Sequence, residues 1–336
     1  MSGALITGGT GFVGAHLATF LKTRTSRLAV LASSGCSETM PEAVCYEVDV
    51  RDAGKVRAAI HDFRPDRVYH LAAISSVEGS WSRPRLTYEV NVDGTLNVLE
   101  AAMTLAQPPR VLNVSTAQVY AASSSPLSED SPLGPDNPYA ASKAMAELLG
   151  VQYRKVPAGG IITARSFNHA GPGQSSDFVL SSIARQFAEI EAGMHDPELS
   201  LGNIHVRRDF TDVRDVVRAY WHLLEDGSVN QTYNVCSGRS WAIHEIILQF
   251  ESISGIKVSV GMHPDKVRGG EMSEVRGNPD KIYRATGWEP EIPLGTTVRD
   301  LLDYWRSTLR KADSVRNIES AEGSEKFVPS MPLRST

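Results

Sequence analysis

The sequence predicts an α/β fold: a doubly wound parallel sheet covered on both faces, with a smaller α/β lobe beside it. Three observations carry this expectation. Short apolar runs alternate with amphipathic helical patterns through the first half of the chain. A glycine cluster stands directly after the first of those runs. At 336 residues the chain exceeds what one small core organises, so a main body with a second lobe is the natural division.

Taken in order, Ala4 to Thr7 reads as the first strand, and Val13, Leu17 and Leu21 follow at helical spacing. Leu28 to Leu31 form a second buried strand, and Val56, Ile60 and Phe63 mark the next helix. Val68 to Leu71 is a strand, Val92, Leu96 and Leu99 a helix face, and Val111 to Ser115 and Ile161 to Ala164 are further strands. After about residue 166 the alternation weakens, and loops rich in Gly, Pro and Asn separate isolated helices such as the one carrying Val179, Ile183 and Phe187. Asp212 with Asp215 resembles an N-cap arrangement for a helix carrying Val213, Val216, Val217 and Tyr220, and Tyr233 to Val235 would return a strand to the main sheet. The expected division is therefore 1–166 with 210–240 as the sheet body, and 167–209 with 241–312 as the second lobe. Residues 313–336 are polar, without apolar periodicity, and contain Pro329 and Pro332, which reads as a flexible tail.

Apolar residues make up 41% and charged residues 22%, and the net charge of -5 gives no reason to expect nucleic acid. Cys36, Cys45 and Cys236 have neither C-x-x-C spacing nor a His pair nearby, so reduced structural thiols and no metal are expected. The chain enters its first strand almost at once, with no basic leader and no apolar stretch of membrane length. A cytoplasmic protein without a membrane partner is the expectation.

Between the first strand and its helix stands Thr7-Gly8-Gly9-Thr10-Gly11-Phe12-Val13-Gly14, which satisfies G-x-G-x-x-G from Gly9 and G-x-x-G-x-x-G from Gly8. Side chains there would hold the backbone away from a pyrophosphate, whose charge the amides and dipole at a helix N-terminus favour. The sheet is thus of Rossmann type, with Gly8, Gly11, Phe12, Val13 and Gly14 at a dinucleotide. The second strand ends Leu31-Ala32-Ser33-Ser34 and lacks the acidic residue that binds a ribose 2'-hydroxyl and repels a 2'-phosphate. NADP(H) is therefore the preferred cofactor and NAD(H) the second choice, with Ser33 at the ribose or simply turning the chain. Asp49, followed by Val50, either meets the adenine edge or is an ordinary strand-end aspartate.

Asn137-Pro138-Tyr139-Ala140-Ala141-Ser142-Lys143 has a capping Asn and a Pro suited to the first helical position. Tyr139 and Lys143 then share a helix face at i and i+4, where the ammonium is expected to lower the pKa of the phenol. The strand from Val111 ends in Ser115 and Thr116, delivering hydroxyls to the sheet edge where ligands bind. Thr116 is either a second donor to a substrate carbonyl or a local turn cap.

Together these residues resemble the extended short-chain dehydrogenase/reductase family, the NAD-dependent epimerases and dehydratases of nucleotide sugars, from Ala4 to about Leu309. The resemblance implies Tyr139 as acid/base, Lys143 as its ribose-binding charge partner, Thr116 as carbonyl donor, and Leu71-Ala72-Ala73 and Ser115 lining the cofactor. Asn91 in Asn91-Val92-Asp93-Gly94-Thr95 matches the family's structural asparagine. The second half is similar to enzymes of GDP-mannose-derived 6-deoxyhexoses through Phe167-Asn168-His169-Ala170-Gly171-Pro172-Gly173-Gln174, Leu201-Gly202-Asn203, Arg208-Asp209-Phe210 and Tyr233-Asn234-Val235-Cys236-Ser237-Gly238. That similarity implies Asn168 and Arg208 on a diphosphate and His169 near the cofactor. It also implies Val179 and Asn203 against the nucleotide sugar, with Arg268 and Glu271 closing over it.

The dehydratases of this group place an acidic residue two positions before the tyrosine of the strand-end motif; here that position is Gln118, and an amide neither gives up nor takes on a proton at neutral pH. The resemblance then implies NAD(P)H-dependent reduction of the 4-keto group of GDP-4-dehydro-6-deoxy-D-mannose to GDP-D-rhamnose. An epimerase, a dehydratase-like enzyme and a non-catalytic dinucleotide sensor are the alternatives, and a homodimer through paired helices would suit the family. One departure is Ser166, where the pattern has proline.

Overall fold

Seven parallel strands form the body of the protein, a computed structural model of which describes residues 2–36, 40, 42–153, 159–262 and 272–324. They are β1 (Gly3–Thr7), β2 (Arg27–Ala32), β3 (Val44–Glu47), β4 (Arg67–His70), β5 (Arg110–Thr116), β6 (Gly160–Ser166) and the strand Thr232–Val235, which is β10 in chain order. Their order is β3-β2-β1-β4-β5-β6-β10. The winding reverses between β1 and β4, so the loops after these two strands diverge and open a crevice at their C-terminal ends. Leu5, Ile6, Val30, Leu31, Val68, Val111, Leu112 and Ile162 are buried, as strands covered on both faces require.

Helices α1 (Phe12–Leu21), α2 (Ala53–Phe63), α3 (Val77–Ser82), α4 (Pro84–Tyr88), α5 (Gly94–Met103) and α6 (Pro138–Gln152) connect these strands. The predicted faces are the buried ones: Leu17 and Leu21 on α1, Val56, Ile60 and Phe63 on α2. Asn137 caps α6 by accepting from the Ala140 amide at 2.9 Å, with Pro138 at the first position. The helix expected from Val92 begins instead as one widened turn, a π-helical segment over Glu89–Asp93 that precedes α5 and buries Asn91. Such turns occur at functional positions because they point one side chain off the helical register.

Beyond β6 the chain adds β7 (Asn168–Ala170), α7 (Val179–Glu191), β8 (Glu198–Leu201), β9 (Arg207–Asp212), α8 (Val213–Glu225), β11 (Ser240–Ala242), α9 (Ile243–Ser254), β12 (Ser259–Met262), β13 (Glu274–Val275), α10 (Asp280–Thr286) and α11 (Leu294–Ser324). Leu180, Ile183, Ala184 and Phe187 of α7 bury their stripe against Ile246 and Phe250 of α9 and Val298 and Leu301 of α11, forming a second apolar core. Asp212 caps α8, accepting from the Arg214 amide at 2.8 Å, as its sequence predicts.

Three features differ from expectation. The edge strand β3 is short and only partly buried, so no clean alternation marks it in the sequence. Cys36 and Cys45 are not free thiols: they form a disulfide, with Cα atoms 5.7 Å apart, while Cys236 is free and buried. The parallel pairing of Val30 with Cys45 brings the second cysteine back beside the end of β2, a proximity that sequence spacing does not reveal. The backbone of α11 runs on to Ser324, so 313–324 is helical where a flexible tail was expected. The stretch prolongs a helix already anchored in the second core by Val298 and Leu301, and adding turns to an existing helix needs no apolar periodicity. Residues 325–336 lie outside the described residues. Among the described residues no helix is long and apolar enough to cross a membrane, and no group of His, Cys, Asp or Glu is arranged to hold a metal.

Candidate active site

The glycine loop turns at the floor of the crevice. Gly8 adopts φ +67, and a Cβ there would stand 2.8 Å from the Ala72 backbone. A Cβ on Gly14 would meet the Gly8 carbonyl at 2.4 Å. The loop therefore packs directly on Leu71-Ala72-Ala73 at the end of β4 and on its own helix. Gly11 is the N-cap of α1 and supplies no side-chain acceptor, so the first amides of the helix point into the crevice undamped. Phe12 and Val13 are partly buried in that first turn. A close-packed glycine turn that admits no Cβ at Gly8 or Gly14, under a helix N-terminus without a side-chain cap, fits a dinucleotide pyrophosphate.

Along the rim, Ser33 is exposed just past β2. The Asp49 carboxylate is held by the Arg51 guanidinium at 2.6–3.1 Å, whose hydrogen bonds keep it below the usual carboxylate range. Val50 is buried, and its carbonyl accepts from Asn97 at 2.9 Å.

At the end of β5, consecutive side chains point to opposite faces. Thr116 lies beside Tyr139, where its hydroxyl acts to lower the phenol pKa, and it accepts from the Gln118 amide at 3.3 Å, which is the local cap. Ser115 points the other way and donates to Glu147, which leaves only its backbone for the crevice. Lys143 is 4% exposed. Burial pushes its pKa down to about 8, against the pull of the Glu147 charge. Burial raises Tyr139 above the ordinary phenol value, and the Thr116 hydrogen bond pulls it partly back. The lowering of the phenol expected from Lys143 does not dominate in the protein alone: desolvation is the larger effect, and the opposing pull comes from Thr116. Gln118 is exposed, and its Oε1 accepts from Asn137 Nδ2 at 3.1 Å.

His169 stacks on Phe12 with ring centroids 6.2 Å apart, and its Nδ1 meets the Phe167 carbonyl at 3.0 Å. His16 of α1 contacts the Pro172 carbonyl at 2.8 Å. These contacts fix the 168–173 segment over the glycine helix. β7 pairs with β9, and Asn168 lies exposed beside Phe210, two residues along from Arg208. The Arg208 guanidinium donates to the carbonyls of Arg207 and Met272, both at 2.9 Å. Val179 opens α7, and Asn203 accepts from the His205 amide at 3.0 Å. Arg268 and Glu271 lie outside the described residues.

Sequence reasoning missed two buried charges near this site. Asp209 accepts from the amides of Ser237, Gly238 and Gly277 at 2.8–3.2 Å, tying two loops to β9 next to Arg208. Glu147 lies four residues after Lys143 and pairs with Arg165, an i+4 continuation of the Tyr139–Lys143 spacing that could have flagged it. The unexpected Ser166 has a partner: its hydroxyl meets that of buried Tyr220 at 2.7 Å. Ser166→Ala is expected to cost about 1–3 kcal/mol by orphaning the phenol. The denaturant midpoint checks this, and adding Tyr220→Phe should recover most of the loss.

The profile of the GDP-mannose 4,6 dehydratase family matches residues 5–301. A GDP-6-deoxy-D-mannose reductase of Pseudomonas aeruginosa is 35% identical over 309 residues, 91% of this chain and 98% of that protein. The solved structure of RMD from Pseudomonas aeruginosa complexed with NADPH superposes with a TM-score of 0.81 at 33% identity, covering 92% of this chain and 100% of that one. A Thermus thermophilus UDP-glucose 4-epimerase in complex with NAD gives a TM-score of 0.80 at 30% identity, over 90% of this chain and 99% of that one.

Proposed function

The chain belongs to the GDP-mannose 4,6 dehydratase family, and from that premise we propose that it is an NADPH-dependent reductase of the 4-keto group of GDP-4-dehydro-6-deoxy-D-mannose, with GDP-D-rhamnose as product. The rim of β5 carries this reading. Thr116, whose hydroxyl draws the phenol pKa down, lies beside Tyr139 at the start of the helix that carries Lys143, while the place of a dehydratase's proton-shuttling carboxylate is taken by Gln118, bonded to Asn137. The similarity to a GDP-6-deoxy-D-mannose reductase and to a structure complexed with NADPH supports the same substrate and cofactor.

When bound, the nicotinamide supplies a hydride. Tyr139, which burial keeps protonated, gives its proton to the emerging C4 alkoxide, and Thr116 donates a hydrogen bond to the same oxygen. Lys143 holds the nicotinamide ribose. Gly8, Gly11, Phe12, Val13 and Gly14 cradle the pyrophosphate, Leu71 to Ala73 and His169 line the cofactor, and Asp49 and Val50 lie toward the adenine. Ser33 puts no carboxylate against a 2'-phosphate, which favours NADP(H) over NAD(H). Residues 1–166 with 210–240 form the dinucleotide half. Residues 167–209 with 241–312 form the sugar-nucleotide half, where Asn168 and Arg208 hold the diphosphate and Val179 and Asn203 flank the sugar. A cytoplasmic homodimer completes the reading. Met145, Leu148 and Val151 form an exposed apolar stripe on α6 that a second copy would cover.

Incubation of the pure protein with NADPH and the keto-sugar nucleotide should oxidise one NADPH per product. Product without cofactor oxidation would overturn the reductase reading. The pH profile gives a second check. Reduction needs the charged ammonium, so kcat/KM should be level below about pH 8 and fall above it, by about tenfold per unit. A profile level to pH 9.5 would contradict that role for Lys143.

A further inference from the structure

We propose that His70 is a positioning residue, locked as the neutral Nε2–H tautomer, that couples the glycine cradle to the helix carrying Tyr139. It is fully enclosed at the end of β4, between two threonine hydroxyls. Nδ1 lies 2.8 Å from Thr7 Oγ1, and Nε2 lies 2.9 Å from Thr95 Oγ1.

The protons in this chain can be placed by elimination. Thr95 Oγ1 is 2.6 Å from the Asn91 carbonyl, which can only accept, so the Thr95 hydrogen points there. Thr95 must then receive its other hydrogen bond from His70, which places a proton on Nε2. Thr7 Oγ1 already accepts from the Ala72 amide at 3.2 Å, and its own hydrogen finds an acceptor only in a bare Nδ1. Burial, with the Lys143 charge second, holds the ring neutral.

Each hydrogen bond therefore points one way, from the Ala72 amide through Thr7, His70 and Thr95 to Asn91. Asn91 continues the path, donating to Ser142 Oγ at 2.9 Å, which donates to the Tyr139 carbonyl at 2.7 Å. Thr7 opens the glycine loop and Tyr139 opens the catalytic helix. The imidazole is the rigid joint that spaces them, and a satisfied buried network of this kind specifies one arrangement. The kinetic part of this inference rests on the reductase reading; the tautomer does not.

The test begins with the native protein labelled with 15N-histidine. Long-range proton–nitrogen correlations should show His70 with a protonated Nε2 and a bare Nδ1, unchanged from pH 5.5 to 8.5. A proton on Nδ1, or titration in that range, overturns the proposal. Two variants then separate the arms. The His70→Gln amide reaches toward Thr95 and should keep most of kcat, while dinucleotide Kd rises on the order of tenfold. The His70→Asn amide reaches only Thr7 and should bind dinucleotide normally, while kcat falls on the order of tenfold. Equal losses in both quantities for both variants would mean ordinary packing and refute the coupling. Dinucleotide Kd and the tautomer are measured without sugar, so a wrong substrate would not disguise either result. If neither variant folds, the native tautomer decides.

Discussion

Tyr139→Phe is expected to lower kcat for keto-sugar reduction by about 10²–10⁴-fold, the range general acid catalysis supplies, with little change in stability or in the affinity for either ligand. The phenol ring is only partly buried and keeps its packing in Phe; what is lost is one hydroxyl, while Thr116 keeps the hydrogen bond it accepts from the Gln118 amide. Because the proton moves only as the C4 oxygen gains charge, kcat and kcat/KM should fall together, the pattern of an interaction made in the transition state. Burial raises the phenol's pKa, so the acid form is the resident form across neutral pH. This suits a group that gives up its proton, whereas an epimerase must first take one. Retention of near-normal turnover by the Phe variant would remove Tyr139 from the mechanism.

The parts of the site that follow from local chemistry were readable from the chain. The glycine spacing, the Asn137-Pro138 helix start and the i, i+4 pairing of Tyr139 with Lys143 each depend on residues within one or two turns, and each stands where expected. The unread parts depend on which strands become neighbours. Cys36 meets Cys45 through the β2–β3 pairing, and His70 meets Thr7 through the β1–β4 pairing, which places these two residues side by side. Thr7 and His70 are 63 residues apart, and the separation of 9 between Cys36 and Cys45 does not itself say that the chain folds back there. The pKa order of Tyr139 and Lys143 escaped for a related reason: spacing reports that two groups are close, while burial, a property of the whole fold, decides which ionisation it favours.

Glu147→Gln is expected to cost about 3–5 kcal/mol of stability, the range for stripping one partner from a buried ion pair. Glu147 holds Arg165 through three hydrogen bonds of 2.7–3.2 Å and also accepts from Ser115, so it joins α6 to both β5 and β6. Burial alone would pull Arg165 toward neutrality; the Glu147 hydrogen bonds more than restore its charge. With a neutral amide in that place, the guanidinium remains enclosed between the Tyr120 ring and the Glu129 carbonyl with no countercharge. Replacing both Glu147 and Arg165 by Met should cost much less than the two single changes added together, since no unpaired charge is left buried; an additive result in denaturant titrations would show that the pair acts through packing alone. The same substitution reaches the chemistry. The Glu147 charge is what props up the Lys143 ammonium against its burial, so its loss drives that pKa further down from about 8. The alkaline fall in kcat/KM should then begin at lower pH in Glu147→Gln than in the native protein. A destabilised variant whose pH limb had not moved would confine Glu147 to holding the sheet and helix together, with no influence on the active ammonium.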